Sequence, residues 1–244
     1  MLRSLKEIID YPLLAEDGEI GRCRDFLFDD DDWVVRYLVA DTGKWIPRRQ
    51  VLVASVFLDE PDWPAKKLPV KLTKHEIEES PPLEMDRPVS RQHEEALADY
   101  YRIPRWWGPP EPGRQDDEPL DEAAVEAAAP EPEDRYLRSL DEVEGYRIRA
   151  TDGFVGHVED LVVDDAEWTV RYLVVDTRDW LPGRKVLVSP KWLRALVWSE
   201  KEAVVDLTRE EIEESPPFQE QEPIYRAYEA ELHEGYGREG YWEE

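Results

Sequence analysis

The 244-residue chain has a single cysteine, Cys23, and therefore cannot form an internal disulfide. Long apolar stretches are also absent, because the longest nearly apolar run, 51–58, is far shorter than the about 20 residues that a membrane-spanning helix needs. The first residues carry charges where a secretory signal peptide has its apolar region. We therefore expect a soluble, cytoplasmic protein that meets a membrane only through a partner.

Basic side chains are few, with 31 Lys and Arg against 58 Asp and Glu and a formal net charge of −27. Because basic groups must neutralise the phosphates of a bound nucleic acid, this balance argues against nucleic acid as a partner. About a third of the acidic excess lies in 108–134, which holds ten acidic side chains, one basic side chain and six prolines. This composition is typical of a solvated linker.

The sequence also lacks a recognisable catalytic constellation. None of its four histidines (His75, His93, His157 and His233) lies at metal-ligand spacing from another histidine or a cysteine, and we interpret them as exposed polar residues. Cys23 has a valine at the matching position of the second repeat, which favours a small core residue. The sequence also has no phosphate-binding glycine loop. We therefore predict a protein that is not an enzyme and has no cofactor.

The densest acidic run, Asp29–Asp32, offers two interpretations. Adjacent carboxylates can bind Ca²⁺, but this run lacks the alternating ligands and the central glycine of an EF-hand loop. The matching run at 164–167 includes an alanine. We therefore favour a solvated turn at a hairpin tip over a metal site.

What the chain does contain is an internal duplication. Residues 3–83 and 138–218 align without a gap at an offset of 135 residues and agree at about 39 of 81 positions. We predict two units, 1–107 and 135–244, joined by an acidic, proline-rich linker at 108–134.

Within each unit, turn signals separate short apolar segments at roughly ten-residue spacing. Asp17-Gly18 and its counterpart are hairpin signals. The β-branched and aromatic segments 33–42 and 168–177 are typical of strands. We therefore predict a mainly β fold with short helices, in which each unit is a small antiparallel barrel or sandwich. A helical, aromatic C-terminal extension is predicted to follow each unit, at 90–103 and 225–236.

The run from Asp17-Gly18 through Asp25–Asp30 to Trp33–Trp45 resembles the PRC-barrel family, and its second copy at 152–180 is equally similar. The tail 88–107 is similar to the C-terminal extension of bacterial stand-alone members. The resemblance implies two tandem antiparallel PRC-like β-barrels, similar to the cytoplasmic domain of the photosynthetic reaction-centre H subunit. It also implies an assembly or docking role, and it provides no active-site residues to carry over.

Two sets of residues are candidates for a functional or structural role. Strand-end Asp41 and Asp176 each share a unit with an arginine, Arg36 or Arg171, and a structural ion pair or a turn cap explains them better than acid–base catalysis. Exposed tryptophans supply large contact areas in protein interfaces, although packing in a core or corner is an open alternative. The candidate interaction residues are Trp45, Trp180, Trp106, Trp107, Tyr241 and Trp242.

Three functional hypotheses follow. The first is a non-enzymatic assembly or docking scaffold with a protein partner, in which the two units form an intramolecular pseudo-dimer. The second is an accessory protein of a photosynthetic reaction centre, acting in electron transport, which rests on fold analogy alone. The third is a stress-response protein that binds a small molecule or a metal in a cleft between the barrels.

Overall fold

The structure is a computed structural model that describes residues 1–43, 49–83, 89–107, 137–178, 183–219 and 223–243. Within these ranges the fold is mainly β with short helices and contains two sheets, which confirms the predicted fold class at that level. Two of the predicted interaction residues, Trp45 and Trp180, and the linker 108–134 lie outside the described residues.

The described part of the first unit contains six strands and three α-helices. A 3-10 turn at Ser55–Phe57 follows the fifth strand. The strands are β1 (Leu2–Ser4), β2 (Pro12–Ala15), β3 (Gly18–Asp29), β4 (Val35–Asp41), β5 (Gln50–Ala54) and β6 (Leu68–Pro69). The helices are α1 (Leu5–Ile8), α2 (Lys74–Glu78) and α3 (Arg91–Tyr101).

The described part of the second unit repeats this order and adds one strand, β12. 3-10 turns lie at Pro190–Trp192 and Trp198–Glu200. The strands are β7 (Leu137–Ser139), β8 (Arg147–Ala150), β9 (Gly153–Asp164), β10 (Thr169–Asp176), β11 (Lys185–Val188), β12 (Leu193–Val197) and β13 (Glu202–Val205). The helices are α4 (Leu140–Val143), α5 (Arg209–Glu214) and α6 (Arg226–Gly235).

Serine and threonine side chains cap the starts of the short helices. Thr73 and Thr208 form reciprocal capping boxes with the glutamates three residues later, at the starts of α2 and α5. The hydroxyls of Ser4 and Ser139 accept the N–H of Glu7 and Glu142, respectively, and cap α1 and α4. The predicted extensions contain α3 and α6, so their helical character is confirmed.

The strands form two sheets, with the strand orders β5-β4-β3-β2-β6 and β11-β10-β9-β8-β13-β12. Most pairs are antiparallel, but β2–β6 and β8–β13 are parallel, which the sequence did not predict. Among the described residues no ladder joins β5 to β6 or β11 to β12, so pairing closes neither sheet into a barrel. A 3-10 turn follows β5 and β11, and pairing resumes after it, with Leu58 opposite Val70 in the first unit and Leu193 opposite Val205 in the second.

A glycine at the same position of each unit allows the longest strand to approach its neighbour closely. Gly21 has a φ of +61°, and a Cβ there would collide with the carbonyl of Asp41. A Cβ on Gly156 would collide in the same way with the carbonyl of Asp176. Each close contact accompanies a register shift between the paired strands.

The two units exchange their first strands. β1 of the first unit pairs antiparallel with β9 of the second unit, with Leu2 opposite Asp164 and Ser4 opposite Val162. β7 of the second unit pairs with β3 of the first unit in the equivalent register, with Leu137 opposite Asp29. Each sheet therefore contains one strand that the other unit provides.

An aspartate fixes each exchanged strand to its new sheet; Asp160 is buried and Asp25 is half-buried. Asp160 accepts hydrogen bonds from the Ser4 hydroxyl and from the backbone N–H of Lys6, the latter at 3.2 Å. The equivalent Asp25 accepts from the Ser139 hydroxyl and from the N–H of Asp141 at 3.3 Å. Because Ser4 and Ser139 also cap α1 and α4, the same contact orders the helix that follows each exchanged strand.

The centre of the junction has approximate two-fold symmetry. The N–H of Val35 donates to the Trp168 carbonyl and the N–H of Val170 donates to the Trp33 carbonyl, both at 2.8 Å. Trp168 also stacks on Phe26 across the junction, with ring centroids 5.6 Å apart. The two tryptophans therefore lie between the units. Buried apolar residues of both units form one cluster.

Candidate functional site

Each C-terminal extension folds back onto β4 or β10 of its own unit through a cluster that we call the aromatic clamp. Its centre is a buried glutamate of the extension helix, and arginines lie against the aromatic rings around it. The first clamp consists of Arg36, Tyr37, Arg91, Glu94, Trp106 and Trp107, and the second consists of Arg171, Tyr172, Arg226, Glu229, Tyr241 and Trp242.

In the first clamp, Glu94 is 1% exposed and has three side-chain partners. It accepts from Trp106 Nε1 at 2.9 Å and from Arg91 Nη1 at 3.1 Å, and it is also hydrogen-bonded to the Tyr37 hydroxyl. The Arg36 guanidinium lies 4.5 Å from the ring centre of Trp106, within cation–π range. Tyr37 of β4 and Arg91 of α3 thus bind the same carboxylate.

The second clamp reproduces this geometry. Glu229, 2% exposed, accepts from the hydroxyls of Tyr172 at 3.0 Å and Tyr241 at 2.9 Å, and it pairs with Arg226 at 3.0 Å. The Arg171 guanidinium lies 4.2 Å from the ring centre of Tyr241. The tyrosine hydroxyl therefore replaces the indole N–H of the first clamp as the hydrogen-bond donor.

Burial dominates the electrostatics of both clamps. Desolvation raises the pKa of Glu94 to about 6, although its hydrogen bonds and the nearby Arg91 act in the opposite direction. Desolvation and the neighbouring glutamate also raise the pKa of Tyr37 and that of Tyr172 well above the ordinary value. Both tyrosines are therefore neutral hydrogen-bond donors near neutral pH.

One interpretation from the sequence is wrong. His233, expected to be an exposed polar residue, is 4% exposed and lies among Tyr172, Trp192 and Trp242. Its Nδ1 is 2.8 Å from the Glu239 carbonyl and its Nε2 is 3.0 Å from the Tyr172 hydroxyl. The amphipathic pattern of α6 assigns His233 to the solvent-facing side of the helix. In the structure, the aromatic C-terminal segment covers that side.

The candidate interaction residues that lie in the described ranges all belong to the clamps. Trp106, Trp107, Tyr241 and Trp242 are half-buried and have an arginine against the ring. The sequence interpretation did not identify the two tyrosines on the strands or the two buried glutamates. The signal that marks them is the 135-residue offset, which relates every member of one clamp to a member of the other.

In the structure, the arginine and the aspartate of each predicted pair contact different residues. Arg36 pairs with Asp29 at 2.6 Å, and Arg171 pairs with Glu167 at 2.5 Å. Asp41 accepts the N–H of Gly43 at 2.8 Å, and Asp176 accepts the N–H of Arg178 at 2.9 Å. Each strand-end aspartate thus caps the turn that follows it, while the arginine reaches a different acid.

The acidic run at Asp29–Asp32 ends β3 and leads into the turn before β4, as predicted. It is not wholly solvated, because Asp29 is 2% exposed and Asp30 accepts from Arg138 Nε of the exchanged strand at 2.7 Å. The acidic turn therefore contributes to the junction between the units. In the described ranges, no group of three or more His, Cys, Asp or Glu side chains is arranged to hold a metal ion.

Two cavities contain residues from both units. One, of about 430 Å³, lies beneath the exchanged strand β1 and is lined by Arg3, Lys6 and Asp160 among others. The other, of about 470 Å³, lies between the acidic turn and the second unit, with Arg171 and Tyr241 in its wall. Across the described ranges, none of the helices has the length and apolar character to cross a bilayer.

These features define a β-sheet protein with two similar units, exchanged strands and a clamped extension on each unit. Residues 137–211 match the family model of the PRC-barrel domain, so the second unit carries a PRC-barrel domain and the resemblance seen in the sequence is confirmed there. No curated protein matches the chain.

Proposed function

We propose that the chain is a non-enzymatic assembly protein, a covalently fused pair of PRC-barrel-like units that docks onto a protein partner. The reciprocal exchange of β1 and β7 carries this proposal, because it makes the two units one interlocked body with two similar faces. Such a body suits a bivalent docking role, in which each face meets one partner surface.

The residues at the junction support the idea that the fusion copies a contact between separate chains. Both units keep the serine of the exchanged strand and the aspartate that receives it, so a single unit has the donor and the acceptor of the exchange. We propose that units of this kind, when separate, pair as symmetric dimers. Light scattering on the fragment 1–107, alone and mixed with 135–244, tests this point. A fragment that stays monomeric at high concentration and does not bind the other would contradict it.

The docking role itself is tested by crosslinking in the native cell, identification of the crosslinked protein and reconstitution from purified components. We expect a complex of fixed stoichiometry that forms without any chemical change in either component. Reaction-centre subunits as the partner would favour the photosynthetic accessory role. Failure of every crosslinked protein to rebind in purified form would refute the docking proposal.

The two cavities between the units favour ligand binding as a second candidate. A ligand in either cavity would contact both units and would stabilise the folded chain by mass action. A thermal-shift screen with small molecules and divalent ions is the direct measurement. A screen in which no compound raises the melting temperature would exclude this candidate.

A further inference from the structure

β12 is an edge strand that the first unit lacks. It pairs with β13 at the end of the strand order of the second sheet, and no described residue pairs with its outer side. Arg194 and Ala195 are exposed, and Leu196 and Val197 are half-buried. Because an exposed edge strand presents backbone N–H and C=O groups without partners, it is a template for pairing with another chain.

The equivalent segment of the first unit, 58–62, is protected against such pairing. It contains Asp59, Glu60, Pro61 and Asp62, and it forms isolated bridges instead of a strand. In the second unit, arginine, alanine, leucine and valine occupy these four positions. Charged side chains and proline are the usual protection of an edge, so the second unit has an open edge where the first has a protected one.

Space for a further strand lies beside β12. The cavity of about 470 Å³ is lined by four successive residues of this strand, 193–196. Successive side chains point to opposite faces of a sheet, so lining by all four places the cavity along the edge of β12 rather than over one face. Asp31 and Asp32 of the first unit also line this space.

The sequence of β12 is compatible with pairing to itself. In antiparallel register, a two-fold axis at Ala195 places this residue opposite its own copy. Leu193 then lies opposite Val197. Arg194 lies opposite Leu196, so no like charges meet. In the first unit, the same arrangement would set two glutamates opposite each other.

We propose that the chain forms a dimer through β12, which pairs antiparallel with β12 of a second copy and joins their two sheets. The contact uses the same strand on both copies, so it is isologous and closes as a dimer of chains. The exchange of β1 and β7 inside each chain is not altered by it.

Charge complementarity favours a second copy as the occupant of this edge. The stretch 180–199, which contains β12, has four basic residues and no acidic residue in a chain of net charge −27. Each copy brings this basic segment to a space that Asp31 and Asp32 of the other copy line. This attraction offsets part of the repulsion between two acidic chains.

Light scattering on the full chain, over concentrations up to millimolar, tests the dimer. We expect a concentration-dependent rise to twice the mass of one chain. Ala195→Glu puts two carboxylates opposite each other at the centre of the contact and should weaken the dimer about tenfold or more. Glu60→Ala, the reverse exchange at the matching exposed position of the first unit, should leave the dimer unchanged.

Crosslinking locates the contact. Ala195→Cys should form a disulfide between two chains on mild oxidation, because the Cα atoms of opposed residues in an antiparallel pair lie within disulfide range. Glu60→Cys should not, and the native Cys23 is buried. A chain that stays monomeric at millimolar concentration, a dimer that Ala195→Glu does not weaken, or crosslinking of Ala195→Cys that does not exceed that of Glu60→Cys would each overturn the proposal. None of these results bears on docking to a different protein, which the crosslinking in the native cell tests separately.

Discussion

The two extensions have the same architecture, but burial shifts the pKa of a different kind of group in each. Burial raises the pKa of Glu94 in the first clamp and lowers the pKa of His233 in the second extension. Acid therefore relieves an unfavourable buried charge in the first extension. The comparison shows that a duplicated scaffold can keep a buried glutamate at the same position while the residues around it change, as where the Tyr241 hydroxyl replaces the indole N–H of Trp106.

The largest expected effect tests whether the two extensions pack independently. Leu97→Ala and Leu232→Ala each remove a fully buried side chain and should lower the free energy of unfolding by about 2–5 kcal/mol. Leu97 belongs to a small separate cluster and Leu232 belongs to the core shared by both units. In urea unfolding followed by hydrogen exchange, only Leu232→Ala should destabilise strands remote from its extension. A remote effect of equal size in both variants would contradict this difference.

The exchanged strands provide a matched pair of intermediate effects. Asp25→Ala and Asp160→Ala each leave a serine hydroxyl and a backbone N–H without their acceptor, which should cost about 1–3 kcal/mol. Chemical denaturation of the two variants measures the effect. Similar losses are expected if the exchange is symmetric. A loss at only one aspartate would show that one exchanged strand dominates the junction.

Glu94→Gln tests the acid response of the first extension. The pKa of Glu94, raised to about 6, lies above the ordinary carboxyl value, so the ionised form weakens docking at pH 7. This penalty, up to about 2 kcal/mol, is relieved as the pH falls through 6 towards 4.5. Protection of 91–107 against hydrogen exchange should therefore rise on acidification, and Glu94→Gln should abolish the rise. A protection that falls with acid in the unaltered chain would reverse the assignment.

The smallest expected effect concerns the segment 108–136, which connects the first extension to the second unit. Trp106 lies against Arg36, Arg36 pairs with Asp29, and Asp29 lies opposite Leu137, so the described residues on either side of 108–136 both contact this part of the first unit. Replacing it with about twelve Gly and Ser residues still spans this gap and should change stability by less than about 1 kcal/mol. Calorimetry measures the change, and a large loss would show that the segment itself supports the first extension.

Much of this fold follows from the sequence. Turn signals and segments rich in β-branched and aromatic residues located the main strands, and the 135-residue offset defined the two units. The exchange of β1 and β7 was not predictable, because identical Arg-Ser-Leu segments satisfy either unit equally well. Only the three-dimensional arrangement decides which sheet receives the three residues.

The candidate site was partly predictable for a similar reason. Aromatic residues at matched positions drew attention to the ends of both extensions, where the clamps lie. The buried glutamates were hidden, because Glu94 and Glu229 are two of many acids in this chain and helix periodicity alone assigns acids to water. Their burial depends on arginine and aromatic partners that lie far away in the sequence.

Because β1 pairs with β9, the first described residues lie on the second unit, as the last described residues do. Leu2 lies opposite Asp164, Asp164 pairs with Thr169, and Arg171 two residues later lies over Tyr241 near the C-terminus. The first and last described segments thus meet on the second unit as the two sides of 108–136 meet on the first. A permuted polypeptide in which 137–244 precedes 1–107 should keep both exchanged strands, because each of them pairs with a strand of the other unit whichever unit comes first.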